Sequence, residues 1–231
     1  MVAPDLRGLG QTSDPGLGFE KKAIGDEIAR LMRDNLGYNN FHVVGHDWGG
    51  VVAYSLAAQF PSLVKTLAIV DVSIPSPAAP LMSQNGRRWH HAFHQTPELP
   101  ELLVTGRESM YLGWFYDNYG ARPGAISQED RDEYLKWYSQ PAVLKAGFEY
   151  YRATALDRAA IADFDPLSMP VLAVGGSGDW GRGAEVATSL APLVRGDLKQ
   201  RIIQDTGHWV PEEQPGQLAE ELLAHFRNAP L

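Results

Sequence analysis

The 231-residue sequence predicts an α/β fold: a mostly parallel sheet flanked by helices and interrupted by a helical insertion. Three observations lead there. Short apolar runs of strand length, at Phe41–Val44, Leu67–Val70, Val171–Val174 and Arg201–Gln204, alternate with segments of helical periodicity, as parallel strands joined by crossover helices require. One strand-to-helix junction, Phe41–Gly50, reads FHVVGHDWGG and places Asp47 at the apex of a sharp turn flanked by Gly45, Gly49 and Gly50. Between Ser76 and Asp165 the strand pattern gives way to aromatic and acidic residues at helical spacing.

Taken in order, Val2–Pro4 reads as a strand end followed by the turn-rich DLRGLGQTSDPG. In Lys21–Asn35 the spacing of Ile24, Ile28, Leu31 and Met32 predicts an amphipathic helix that Gly37 stops. After the Asp47 turn, Val51, Val52, Leu56 and Ala57 carry a buried helix towards Pro61, and the strand Leu67–Val70 closes on Asp71. SIPSPAAP is a linker. The insertion then predicts helices at Arg88–Gln95, Glu108–Tyr119, Gln128–Ser139 and Ala142–Ala155. Strand character returns at Val171–Val174, followed by a helix at Ala184–Leu193, a last strand at Arg201–Gln204 and a helix at Leu218–Phe226. Residues 1–75 and 166–231 are thus expected to form the core, and 76–165 a helical cap.

Composition narrows the function. A 44% hydrophobic chain of this length buries a substantial core. The formal charge of −8 without a long basic run argues against nucleic-acid and anionic-membrane partners, leaving small molecules or proteins. No apolar run approaches the ~20 residues of a membrane span, and MVAPDLRGLG lacks the features of a signal peptide, so a cytoplasmic location is expected. With no cysteine there is neither a disulfide nor a thiol nucleophile.

The chemistry-bearing residues stand at strand ends. A serine at the turn apex would suggest an esterase, whereas the Asp47 carboxylate suits attack on an alkyl carbon to form an ester; the plain alternative is a helix cap. Asp179 follows VLAVG, and His208 follows RIIQDTG, both at the carboxyl edge of the expected sheet. His90, His91 and His94 lack a two-Cys or HExxH context and read as cap surface or pocket lining, so no metal is expected. Gly176–Gly181 spells a formal dinucleotide fingerprint, but too little chain follows it to build a dinucleotide site, and no cofactor is expected.

GHDWGG, GDW and DTGHWVPEEQP together resemble the epoxide hydrolase and dehalogenase branch of the α/β-hydrolases, over essentially the whole chain. The resemblance implies an α/β-hydrolase-type core with Asp47 as nucleophile and His208 as the base that hydrolyses the resulting ester. Asp179 would orient the imidazole, with Asp71, where some dehalogenases carry this acid, as the alternative. It also puts Tyr151 of EYYR at the position of a cap tyrosine that protonates the epoxide oxygen, a core tyrosine being the bland reading. RRWHHAF places His90 where a second such tyrosine is expected; dehalogenases acting on fluoroacetate have a similar histidine. Those enzymes hold the substrate carboxylate with arginines on the elbow helix, where this chain has Trp48 and Val51, so a small haloacid is disfavoured. Trp48, Trp89, Phe93 and Tyr151 are expected to line a pocket with few fixed charges, suited to a small, mainly apolar epoxide. The family further implies a leading segment with an HGxP oxyanion loop and a central strand, and this sequence starts after it. Relative to the family the fold is therefore expected to be N-terminally incomplete. The remaining alternatives are a dehalogenase and a non-catalytic, truncated hydrolase-fold protein with open apolar sheet surface and a tendency to form a homodimer.

Overall fold

The computed structural model describes residues 1–13, 16–79, 81–227 and 229. Helix α1 (Lys21–Arg30) buries Ile24, Gly25 and Ala29 and continues as a widened turn at Leu31–Asn35, where the Leu36 N–H reaches back to the Leu31 carbonyl. The chain then enters β1 (Phe41–His46), α2 (Trp48–Gln59) and β2 (Val64–Val70). Helix α2 is apolar on every side, and residues 50–57 are all buried, so it forms the centre of the main core rather than a surface layer.

Among the described residues six helices separate β2 from β3 (Val171–Gly176): α3 (His90–Gln95), α4 (Leu99–Val104), α5 (Glu108–Asn118), α6 (Gln128–Tyr138), α7 (Pro141–Arg152) and α8 (Thr154–Ala162). The single helix expected over Ala142–Ala155 is two, because the chain turns at Ala153 and the Thr154 hydroxyl bonds the Tyr151 carbonyl. Helix α4 was not expected. Its Pro100 lies in the first turn, where a missing N–H costs nothing. Beyond β3 come α9 (Glu185–Leu190), β4 (Leu198–Ile203), the short α10 (Val210–Glu213) and α11 (Pro215–Arg227).

The four strands among the described residues are parallel and stand in sequence order. β3 is buried along its whole length and β2 almost so, the pattern of strands covered by helices on both faces. Among the described residues no strand pairs with the outer edge of β1, where Val44 is 43% exposed. Val2–Pro4 is not a strand; without a ladder partner its backbone stays irregular and exposed.

The helices after β2 are tied to the sheet side by a buried ion pair. Lys21 is fully buried; its Nζ lies 2.9 Å from the Asp157 carboxylate on α8 and also bonds the Tyr150 carbonyl on α7. Burial pushes Lys21 down and Asp157 up, and their mutual attraction opposes both shifts. The same ammonium sits 4.1 Å from the Trp48 ring centroid, in cation–π contact with the first residue of α2.

Candidate active site

The turn between β1 and α2 is made by backbone crowding. Asp47 has φ 48° and ψ −129°, a conformation that costs energy for any residue with a Cβ. A Cβ on Gly45 would lie 2.1 Å from the Gly49 carbonyl oxygen, and one on Gly50 would lie 2.5 Å from Val72. Those two glycines are demanded by packing. Gly49 is not: a Cβ there meets nothing within 4 Å, because the position faces a cavity. One Asp47 oxygen caps α2 through the Trp48 N–H at 2.6 Å, while the other lies 2.8 Å from His208 Nε2. The carboxylate therefore caps the helix with one oxygen and rests the other against the imidazole.

His208 follows β4 and is 4% exposed. Its N–H donates to the Tyr119 carbonyl, and its own carbonyl accepts from His46 Nε2 at 2.8 Å, so the backbone on which the imidazole sits is held from two sides. His208 Nδ1 lies 2.8 Å from Asp71 Oδ2. The other Asp71 oxygen accepts the Gly176 and Arg182 N–H groups at 2.9 and 2.7 Å, which orients this fully buried carboxylate. Burial alone would lower the His208 pKa, but its bonds to Asp47 and Asp71 outweigh that and raise it to about 8. Burial works against the Asp47 charge too; His208, His46 and the Trp48 N–H nonetheless hold it well below the usual carboxylate range. Its side chain remains 39% exposed, open to the cavity.

The carboxylate bonded to His208 is thus Asp71, and the preference for Asp179 is corrected. Asp71 directly follows β2, next to β1 in the sheet, whereas the chain after β3 turns away before it reaches Asp179. Asp179 is exposed, and its backbone carbonyl receives the Arg87 guanidinium at 2.5 Å. The glycines of the would-be dinucleotide fingerprint serve this turn: a Cβ on Gly176 would strike the Gly207 carbonyl, and one on Gly181 the Gly176 carbonyl. No helix opens there, since α9 starts only at Glu185.

Asp47 and His208 lie in the wall of a cavity of about 420 Å³, closed on its far side by α3, α5 and α7. Trp48 and Tyr151 both line it, their rings edge to face at 4.9 Å. Trp48 packs as a wall, and its buried indole N–H has no hydrogen-bond partner among the described residues. Burial and the nearby Asp47 charge push Tyr151 well above its ordinary pKa, so it keeps its proton. His90, His91 and His94 share the cavity-facing side of α3. Burial, reinforced by the neighbouring histidines, depresses His90 to about 2 and His94 to about 3; burial and Arg182 take His91 to about 4. All three are neutral near pH 7. His90 Nδ1 is 2.9 Å from the Tyr119 hydroxyl, and His94 Nε2 is 2.5 Å from the Tyr111 hydroxyl. Among the described residues no three His, Asp or Glu side chains are grouped to hold a metal ion.

Trp89 and Phe93 do not line the cavity. Four residues apart, they share the neighbouring face of this segment and pack outside against Tyr111, Trp114 and Phe115, leaving Trp89 41% exposed. The expectation of few fixed charges also fails, because Arg88 and Arg182 line the cavity. Sequence reasoning missed both, together with His46 and Tyr119. Arg88 stands two positions before His90 in RRWHHAF, and that adjacency was the available signal. Arg182 belongs to no motif.

Residues 1–215 match the alpha/beta hydrolase fold family. The chain is 34% identical over 246 residues to the soluble epoxide hydrolase of Corynebacterium sp. (strain C12), spanning all of this chain and 81% of that protein. It is 25% identical to human epoxide hydrolase 4 over 93% of this chain but only 61% of the human protein. A fluoroacetate dehalogenase from Burkholderia sp. is 29% identical over 66% of this chain and 53% of its own length. Wild-type Cfl2 from Burkholderia cenocepacia superposes with a TM-score of 0.86 at 36% identity, covering 97% of this chain and 78% of that one. The chain belongs to the α/β-hydrolase fold family. Within it, this is an epoxide hydrolase-like hydrolase of the epoxide hydrolase and dehalogenase branch.

Proposed function

We propose that the chain opens small epoxides to diols through an ester on Asp47. The observation that supports this best is His208 held between two carboxylates, with Nε2 on Asp47 and Nδ1 on Asp71, at the wall of a largely aromatic cavity. In the first step an Asp47 oxygen attacks an epoxide carbon, the carbon–oxygen bond breaks and its electron pair goes to the oxygen. Tyr151, which keeps its proton, gives it to that oxygen. A Tyr119 hydroxyl that donates to His90 Nδ1 leaves Nε2–H of the neutral His90 as a second donor. In the second step His208 removes a proton from water and the hydroxide attacks the ester carbonyl. The bond to the substrate oxygen breaks, the imidazolium gives its proton to that oxygen so that the diol leaves, and the acid proton left on Asp47 passes to the Tyr151 phenolate, restoring the Asp47 carboxylate.

Esterification prepares the base. It removes the Asp47 charge that helps hold the proton on His208, while burial, which pushes the proton off, remains. Asp71 keeps the imidazole oriented. In this reading the helices of residues 76–165 act as a cap over the nucleophile, and the protein works in the cytoplasm on small molecules; no helix among the described residues is long and apolar enough to cross a membrane. A dehalogenase is the second reading, supported by the similarity to the fluoroacetate enzyme and by His90 in the cavity. There the same attack expels a halide.

Intact mass spectrometry of a His208→Gln variant separates them. An adduct on Asp47 equal in mass to the added epoxide supports the first reading, whereas an alkyl adduct formed only from haloalkanes, with halide release, supports the second. Turnover that survives Asp47→Ala would sink both.

A further inference from the structure

Arg88 is 2% exposed and lines the cavity. Its Nε donates to Gln84 Oε1 at 3.1 Å and its Nη2 to the Trp180 carbonyl at 2.5 Å; Nη1 makes no hydrogen bond to any described residue. Arg182 pairs with Glu185 and His208 with Asp71, while Glu212, whose buried Oε2 has no hydrogen-bond partner among the described residues, is pushed towards its neutral form by burial. Among the described residues no carboxylate lies within ion-pair distance of Arg88, and a guanidinium buried without an anion is costly. Its nearest compensation is the more distant attraction of Asp71 and Asp47, against burial and the repulsion of Arg182, so that its pKa is lowered.

We infer that the cavity takes epoxides that carry a carboxylate, with Arg88 as the group that binds it. This deepens the assignment of the cavity as the reaction site and rests on it. The charge balance favours such a substrate most after the first step. Once Asp47 is an ester, Arg88 loses one of the two carboxylates that attract it, and a carboxylate on the bound substrate restores the balance. A carboxylate matches the planar N–H donors of a guanidinium, and the cavity has room for one together with a short apolar body against Trp48 and Tyr151.

The test compares 3,4-epoxybutanoate with 3,4-epoxybutanamide, equal in size and different in charge. In the wild type kcat/KM is expected to favour the carboxylate by about tenfold or more, the range of a charge-assisted hydrogen bond. In Arg88→Gln that ratio falls to near one, chiefly through KM, and Arg88→Lys retains part of it. Calorimetric binding of butanoate against butanamide gives a reading free of turnover: the wild type prefers butanoate and Arg88→Gln does not. If Arg88→Gln fails to fold, the wild-type and Arg88→Lys ratios decide. Wild-type protein that turns over the amide as well as the acid, or binds the two ligands alike, overturns the inference. Butanoate binding that depends on Arg88 without turnover of either epoxide would leave the anion site standing and remove the epoxide reading.

Discussion

Asp71 and Asp179 differ as residues in what each would lose on amidation. Asp71→Asn replaces an acceptor oxygen on His208 Nδ1 or on the Gly176 and Arg182 N–H groups by an NH₂, so the imidazole loses its orientation and its charge partner. We expect turnover to fall on the order of a thousandfold or more. Asp179→Asn changes an exposed side chain that makes no hydrogen bond to any described residue, and turnover should stay within about threefold. Steady-state rates of the two purified variants check this directly, and a large loss in Asp179→Asn with Asp71→Asn near wild type would reverse the assignment.

At the scale of the element, the β1–α2 elbow separates glycines that a motif treats alike. Gly45→Ala must displace backbone atoms of Gly49, and Gly50→Ala must push Val72, so each is expected to destabilise by about 1–3 kcal/mol. Gly49→Ala meets open space inside a helix, where alanine is favoured over glycine by up to about 1 kcal/mol, and should be neutral or stabilising. Denaturant midpoints of the three variants distinguish them; equal losses at all three would mean that crowding is not what selects glycine here. The same logic of faces explains α3. Its helical geometry puts three histidines in the cavity and sends Trp89 and Phe93 to the outside cluster. Residue type alone had suggested that the large apolar rings should face the substrate.

For the whole molecule, the histidines set a stability optimum. His90, His91 and His94 stay neutral when folded and take up protons below about 6.5 when unfolded. Acidification below 6.5 therefore favours unfolding, on the order of 1.4 kcal/mol per pH unit for each fully titrating histidine. His208 acts in the opposite sense. Its folded pKa of about 8 exceeds its ordinary 6.5, so its contribution, about 2 kcal/mol, is full below 6.5 and is lost as the pH rises through 8. We expect Tm to peak near pH 6.5 and to fall on both sides, with His208→Gln flattening the alkaline fall. Differential scanning calorimetry from pH 5 to 9 measures this. A wild-type Tm that climbs steadily from pH 6.5 to 8.5 would contradict it.

The alternation of apolar strands and amphipathic helices, the Asp47 turn and the position of His208 were legible in the sequence because each is a local property: periodicity, glycine placement, and a residue just beyond a strand. The choice between Asp71 and Asp179 was not, since both sit near strand ends and only strand order and loop length decide which carboxylate reaches His208. Nor were the cavity-lining arginines, because a guanidinium on a long side chain is placed by what it packs against rather than by its neighbours in the chain. Sequence by itself determined the fold class, the elbow and the hydrolase family, all of which follow from short-range pattern. Tertiary structure decided which carboxylate holds the imidazole and which charges line the cavity, because those depend on distances between segments far apart in sequence.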